Sequence, residues 1–108
     1  MIHRVNNCFG LTLFRSKKRN VELWICLSGV LPHAHPGQHS EIIPLFGWSR
    51  FYRVNERNEM EQVLITPRRW FHAFSIPAGW KHWFEGVPLL FLNVSTGRES
   101  AGVNISFT

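Results

Sequence analysis

Apolar residues fall in short runs along this chain, punctuated by glycine, proline and polar turns. The segments "LTLF" (11–14) and "VELWICLS" (21–28) flank the basic stretch "RSKKR" (15–19), which predicts a hairpin with a basic tip. In "EIIPLFGWSRFYRV" (41–54), Pro44 and Gly47 predict either two strands or one sharply bent strand. "NERNE" (55–59) predicts a polar turn, after which "QVLIT" (62–66) can pair back. "WFHAFSIP" (70–77), "VPLLFLNV" (87–94) and the weakly alternating "AGVNISF" (101–107) read as further strands. The runs "LWICL" and "LLFL" lack alternation, so their strands are expected to be covered on both faces.

No window sustains a helical repeat of apolar positions, and prolines at 32, 36, 44, 67, 77 and 88 would break most helices. Short strands with this punctuation predict an all-β sandwich or barrel. A length of 108 residues allows one modest core, so residues 1–108 are expected to form a single domain.

Composition adds constraints on chemistry. The chain is 44% hydrophobic and 18% charged, the balance of a folded protein, with a formal charge of +5. The basic residues are scattered apart from the hairpin tip, with no basic helix, zinc-finger spacing or RNA-recognition signature, so nucleic acid is not an expected partner. All seven acids are glutamates, which excludes Ser-His-Asp chemistry and makes any carboxylate ligand a glutamate. Cys8 and Cys26 form neither a disulfide framework nor a CxxC site, and Cys26 reads as a small buried hydrophobe. The N-terminus carries no signal-like apolar segment, and no run approaches membrane-spanning length. The expectation is a cytoplasmic protein with no membrane partner.

The stretch "HAHPGQHSE" (33–41) holds His33, His35, His39 and Glu41. On an extended strand, His33 and His35 share a face and could converge on one ion. Glu41 could return to that point after the Pro36-Gly37 turn, and His39 with Glu41 makes a second pair of equal parity. Histidines beside proline and glycine also suit a solvated loop. A second stretch, "IPAGWKH" (76–82), follows in the pattern P-x-G-x-x-H and offers His82 as a distant ligand beside a tight turn. Imidazoles with a carboxylate suit iron, manganese, zinc or nickel better than calcium.

Taken together, "HAHPGQHSEIIPLFG" and "PAGWKH" resemble the two motifs of the cupin superfamily, a double-stranded β-helix or jelly-roll barrel, over residues 29 to 94. A narrower resemblance runs to small cupins of the WbuC type, associated with bacterial O-antigen gene clusters. The superfamily resemblance implies a divalent metal inside the barrel, held by His33, His35, Glu41 and His82. Five residues separate His35 from Glu41 where the motif has three or four, so His39 could replace one of the earlier histidines.

Around such a centre, Trp48, Trp80 and Trp83 could line a pocket for a ring-shaped ligand. Arg50 and Arg53 have opposite parity and so point to opposite faces; at most one can point inward, and Arg50 is the candidate pocket residue that would bind an anionic group. Tyr52 and His72 are the candidate acid–base groups. Cupins span dioxygenases, isomerases, epimerases and non-catalytic binders, so the fold leaves enzymatic function open. Two readings result: a metal-dependent protein that binds or acts on a small sugar-like or carboxylated metabolite, and a non-enzymatic ligand-binding or sensing module. The resemblance also implies a homodimer, paired through exposed strand edges near the termini.

Overall fold

The computed structural model describes residues 2–5, 7–34, 37–86, 88–97 and 106–107. Among these, the chain forms β1 (Ile2–Val5), β2 (Cys8–Arg15), β3 (Arg19–Cys26), β4 (Val30–Ala34), β5 (Gln38–Gly47), β6 (Ser49–Val54), β7 (Met60–Ile65), β8 (Phe74–Ile76), β9 (Lys81–Glu85), β10 (Leu89–Gly97) and β11 (Ser106–Phe107). A six-stranded sheet runs β1-β2-β3-β10-β5-β8, and a five-stranded sheet runs β11-β4-β9-β6-β7. Every pairing is antiparallel. From β3 onward the chain passes back and forth between the sheets, which is the jelly-roll topology expected of the sequence.

The basic stretch is a hairpin tip between β2 and β3, closed by the Ser16 amide donating to Arg19 O at 2.7 Å. Residues 55–59 form the polar turn between β6 and β7, where Asn55 Oδ1 accepts from the Arg57 and Glu59 amides. Pro44 does not end its strand: β5 runs through it with an irregularity in register against β10, and the chain breaks at Trp48 instead. Gly47 makes that break possible. Its φ is +104°, and a Cβ there would lie 2.0 Å from the Pro88 carbonyl oxygen.

The segment 70–77 is strand only over Phe74–Ile76. Pro67 starts a 3₁₀ turn over Pro67–Arg69, and Trp70 Nε1 donates to Gly47 O at 2.9 Å, which holds the following residues out of the sheet. The two cysteines are also not independent. The β2–β3 register sets Cys8 opposite Cys26, and the pair forms a disulfide at the buried end of the hairpin.

The core lies between the sheets at one end. Cys8, Cys26, Leu89 and Phe91 of the larger sheet meet Phe51, Ile65 and Phe84 of the smaller. Phe91 stands edge-on to Phe84 at 6.2 Å and Phe74 edge-on to Phe51 at 4.9 Å, so aromatic pairs lock the layers together. The runs "LWICL" and "LLFL" do alternate in three dimensions. Trp24, Cys26, Leu89 and Phe91 face inward, whereas Leu23, Ile25, Leu90 and Leu92 face the outer side of the larger sheet, where Ile25 remains 43% exposed.

Candidate functional site

Strand parity decides which side chains enter the barrel. On β5 the even positions Gln38, Ser40, Ile42 and Pro44 are buried, and the odd ones are more open. Cross-strand partners share a face, so Asn93 and Ser95 of β10 join Ile42 and Ser40 on the inner side. On the smaller sheet, His82 pairs with His33 on one side and Arg53 on the other, all inward with the buried Phe84 and Phe51 two residues on. The interior is therefore apolar at the disulfide end and polar beyond it.

Within this polar half, the rings of His33 and His82 lie 4.2 Å apart, centroid to centroid. His82 Nδ1 donates to Trp80 O at 3.1 Å, which leaves its Nε2 as the acceptor nitrogen. The Arg53 guanidinium donates from Nε to Glu61 Oε1 at 2.7 Å and from Nη1 to Ser75 O, and it lies over the Trp80 ring at 5.5 Å. The bond to Ser75, on β8, sets Arg53 level with the Ser40–Ile76 row of the facing sheet. Arg53 and Asn55 hold the Glu61 carboxyl below the usual glutamate range by hydrogen bonding to its ionised form. Opposite, Gln38 Oε1, Asn93 Oδ1 and Ser95 Oγ are buried with no hydrogen-bond partner among the described residues.

The expected metal set does not converge. His33 and His82 meet inside, but Glu41 lies on the outer face of β5, where its Oε1 accepts from Ser75 Oγ at 2.9 Å and contacts His39 Nε2 at 3.2 Å. His39 shares that outer face and cannot substitute for an inner histidine. His35 lies outside the described residues. The inward carboxylates are already engaged: Glu61 with Arg53, and Glu22 with Trp24 Nε1 at 3.2 Å and His3 Nε2 at 3.2 Å. Among the described residues no group of three or more His, Cys, Asp or Glu is placed to hold a metal ion. The expectation of an iron, manganese, zinc or nickel centre, and of a metal-dependent function, is corrected accordingly.

The remaining candidates separate by face. Arg50 is exposed on the outer side, and Arg53 takes the inward position instead, because Arg53 has the parity of the buried Phe51. Tyr52 also points outward, stacked on Trp83 at 5.2 Å. Trp83 therefore lies on the opposite face of β9 from His82. Trp80, half-buried in the turn before β9, packs against the core and reaches Arg53. Trp48 is 55% exposed at the β5–β6 break. His72 is exposed after the 3₁₀ turn, its amide donating to Arg69 O at 3.1 Å. Of the six non-metal candidates, Trp80 alone adjoins the polar interior. Sequence reasoning passed over Gln38, Ser40, Asn93 and Ser95: the two-residue spacing puts each pair on one strand face, but nothing in the sequence marks that face as the inner one.

No helix among the described residues is long and apolar enough to cross a membrane. Solved structures match the fold throughout. A variant of oxalate decarboxylase from Bacillus subtilis superposes with a TM-score of 0.83 at 11% identity, covering 100% of this chain and 30% of that one. Oxalate oxidase in complex with glycolate gives 0.72 at 16% identity, covering 94% of this chain and 55% of that one. The coconut allergen cocosin gives 0.76 at 14% identity, covering 97% and 29%. The chain spans about a third of the oxalate decarboxylases it matches, at 30% to 31% of their length. No family model and no curated protein matches the sequence. At these identities the likeness establishes the architecture, an all-β cupin-type jelly roll.

Proposed function

We propose that this chain is a cupin-fold ligand-binding module whose barrel takes a small, neutral, polyhydroxylated molecule. One observation carries the reading. Gln38 Oε1, Asn93 Oδ1 and Ser95 Oγ are buried without a hydrogen-bond partner among the described residues, on the inner face opposite His82 and Arg53. A buried polar atom left unpaired costs about 1–3 kcal/mol, so a row of them is retained where something else completes the bonding. These atoms accept hydrogen bonds, and a hydroxylated ligand donates them. The half-buried Trp80 supplies an apolar surface for such a ligand's carbon face.

A carboxylated ligand is the less favoured form of the reading. The Arg53 guanidinium, the cation that would attract it, is already neutralised by Glu61 at 2.7 Å. The binding role is also the better supported of the two functions considered, since the described residues hold no metal-ligand group through which a metal-dependent reaction could proceed.

Thermal denaturation against a panel of monosaccharides, alditols and small mono- and dicarboxylates tests the proposal. A binder present at about a hundred times its Kd should stabilise the fold by about 2.7 kcal/mol. Asn93→Leu should weaken that binder about tenfold or more, the cost of one lost hydrogen bond. Stabilisation by carboxylates alone would transfer the site to anions. Failure of both classes at millimolar concentration would overturn it.

A further inference from the structure

The disulfide end of the barrel, marked by the Cys26–Leu89–Gly47 row, presents a second feature that is independent of the ligand reading. Phe46, Trp48 and Phe71 stand 57%, 55% and 72% exposed around the β5–β6 break and the turn that follows β7. Phe71 holds a left-handed backbone, φ +67°, which a bulky L-residue adopts only at a cost in free energy. With its ring in solvent, no packing offsets that cost. The turn is nevertheless fixed. The Arg69 amide donates to Thr66 O at 2.8 Å, the Phe71 amide to Pro44 O at 2.6 Å and the Trp70 indole to Gly47 O at 2.9 Å. Trp70 meets Phe46 at 5.1 Å, centroid to centroid.

Arg68 and Arg69 are exposed on the same turn, and no carboxylate pairs with either among the described residues. Glu85, at the end of β9, stands opposite Arg50 across the strand pairing. The surface is thus aromatic and cationic, the composition that dominates binding energy at protein interfaces, where Trp and Arg are enriched. A planar guanidinium fork matches a carboxylate with two parallel hydrogen bonds. An anionic membrane is the other surface such groups could meet, but lipid-binding segments cluster roughly four to eight basic residues. This turn carries only Arg68 and Arg69.

From these observations we infer that the end of the barrel around Phe71 is a docking site for an acidic segment of a partner protein. The segment's carboxylates bind Arg68 and Arg69, and an apolar anchor side chain packs against Phe46, Trp70 and Phe71. The strain at Phe71 then has a function, because it carries the ring out of the fold and presents it to the partner. The bonds from Arg69, Trp70 and Phe71 hold the turn in one shape before the partner arrives, so little order is lost on docking.

An array of short synthetic peptides, varied independently in Asp and Glu content and in Leu, Phe or Trp content, tests the inference on the whole chain. Binding should rise with acid content only in peptides that carry an apolar anchor, and should weaken as salt rises. For the tightest peptide, followed by fluorescence anisotropy, Arg68→Glu with Arg69→Glu should raise Kd about a hundredfold or more. Lys17→Glu with Lys18→Glu makes the same change of charge at the hairpin tip, the opposite end of β2 and β3 from the disulfide, and should leave Kd unchanged. Phe71→Gly should raise Kd about tenfold while melting no lower than the wild type, since glycine accepts the left-handed backbone. Hydroxyl-radical labelling of wild-type Phe46 and Phe71 should fall when the peptide is added, a reading that needs no variant. An array without acidic binders, equal loss in the two charge-reversed variants, or labelling that the peptide leaves unchanged overturns the inference. Sedimentation with phosphatidylserine vesicles, in place of peptide binding, overturns it in favour of a lipid surface.

Discussion

Two serines provide a direct test of the polar interior. Ser95 and Ser49 are both fully buried, at 0% exposure, and both sit on strands of the barrel wall. Ser49 Oγ donates to Glu85 O at 2.6 Å, whereas Ser95 Oγ has no partner among the described residues. Substitution by alanine should therefore have opposite signs. Ser49→Ala removes a satisfied hydrogen bond and strands the Glu85 carbonyl, costing about 1 kcal/mol. Ser95→Ala removes an oxygen that carries a desolvation cost of about 1–3 kcal/mol in the ligand-free state.

Against that gain stands only the void left by one oxygen, about 0.3 kcal/mol at about 24 cal/mol per Å³. The net expectation is a gain of about 1–2 kcal/mol in urea unfolding at neutral pH. For a domain of this size that corresponds to a melting temperature higher by roughly 4–10 °C. The same variant should respond less to the ligand that stabilises the wild type. Loss of 1 kcal/mol or more in Ser95→Ala would refute the reasoning, because Oγ would then be bonded within the fold and the row would be structural.

Two further substitutions and a pH series address the frame that holds this interior. Gly47→Ala combines a left-handed backbone at φ +104° with a Cβ 2.0 Å from Pro88 O, and should cost about 3 kcal/mol or more in urea unfolding. Gly79→Ala shares the positive φ, +82°, but meets nothing within 4 Å, so it should cost only the backbone term of about 1–2 kcal/mol. Equal losses at the two positions would refute the steric account. Glu61 is held below its ordinary value of 4.5, so its bonds to Arg53 and Asn55 contribute stability that is complete above that pH and is lost as pH falls through the lowered value. Glu61→Gln should flatten the acid limb of the stability curve, measured by denaturation from neutral pH downward, and an unchanged slope would count against the pairing.

Much of the fold could be read from the run lengths, because short strands between Gly and Pro turns have few other solutions than two packed sheets. The basic hairpin tip, the Asn55–Glu59 turn and the split of residues 41–54 all follow from local chemistry. What escaped was non-local. The Cys8–Cys26 pairing depends on hairpin register, which the cysteines' separation of 18 residues does not specify. The outer apolar rows were misread as strands covered on both faces. The runs "LWICL" and "LLFL" are apolar at every position, and such a run does not show how far the outer face of its strand is covered.

The candidate metal site failed for a reason already present in the sequence. Successive residues of a strand point to opposite faces, so shifting a side chain by one position moves it to the other side of the sheet. The five residues between His35 and Glu41 are one more than the longer spacing of the cupin motif. A carboxylate at position 40 would share the inner face with Gln38 and Ile42, whereas Ser40 occupies that place and Glu41 bonds Ser75 outside. The surplus residue is thus what separates a metal ligand from an outer-face acid. It also fixes the chemistry left behind. With Glu41 outside, the inner wall of the larger sheet presents Gln38, Ser40, Asn93 and Ser95, neutral groups beside a Glu22 already engaged by Trp24 and His3, and they face two imidazoles and a neutralised arginine. Under the proposed function, such an interior would select by hydrogen-bonding shape in place of ionic charge, and selectivity should follow the placement of hydroxyl groups on the ligand.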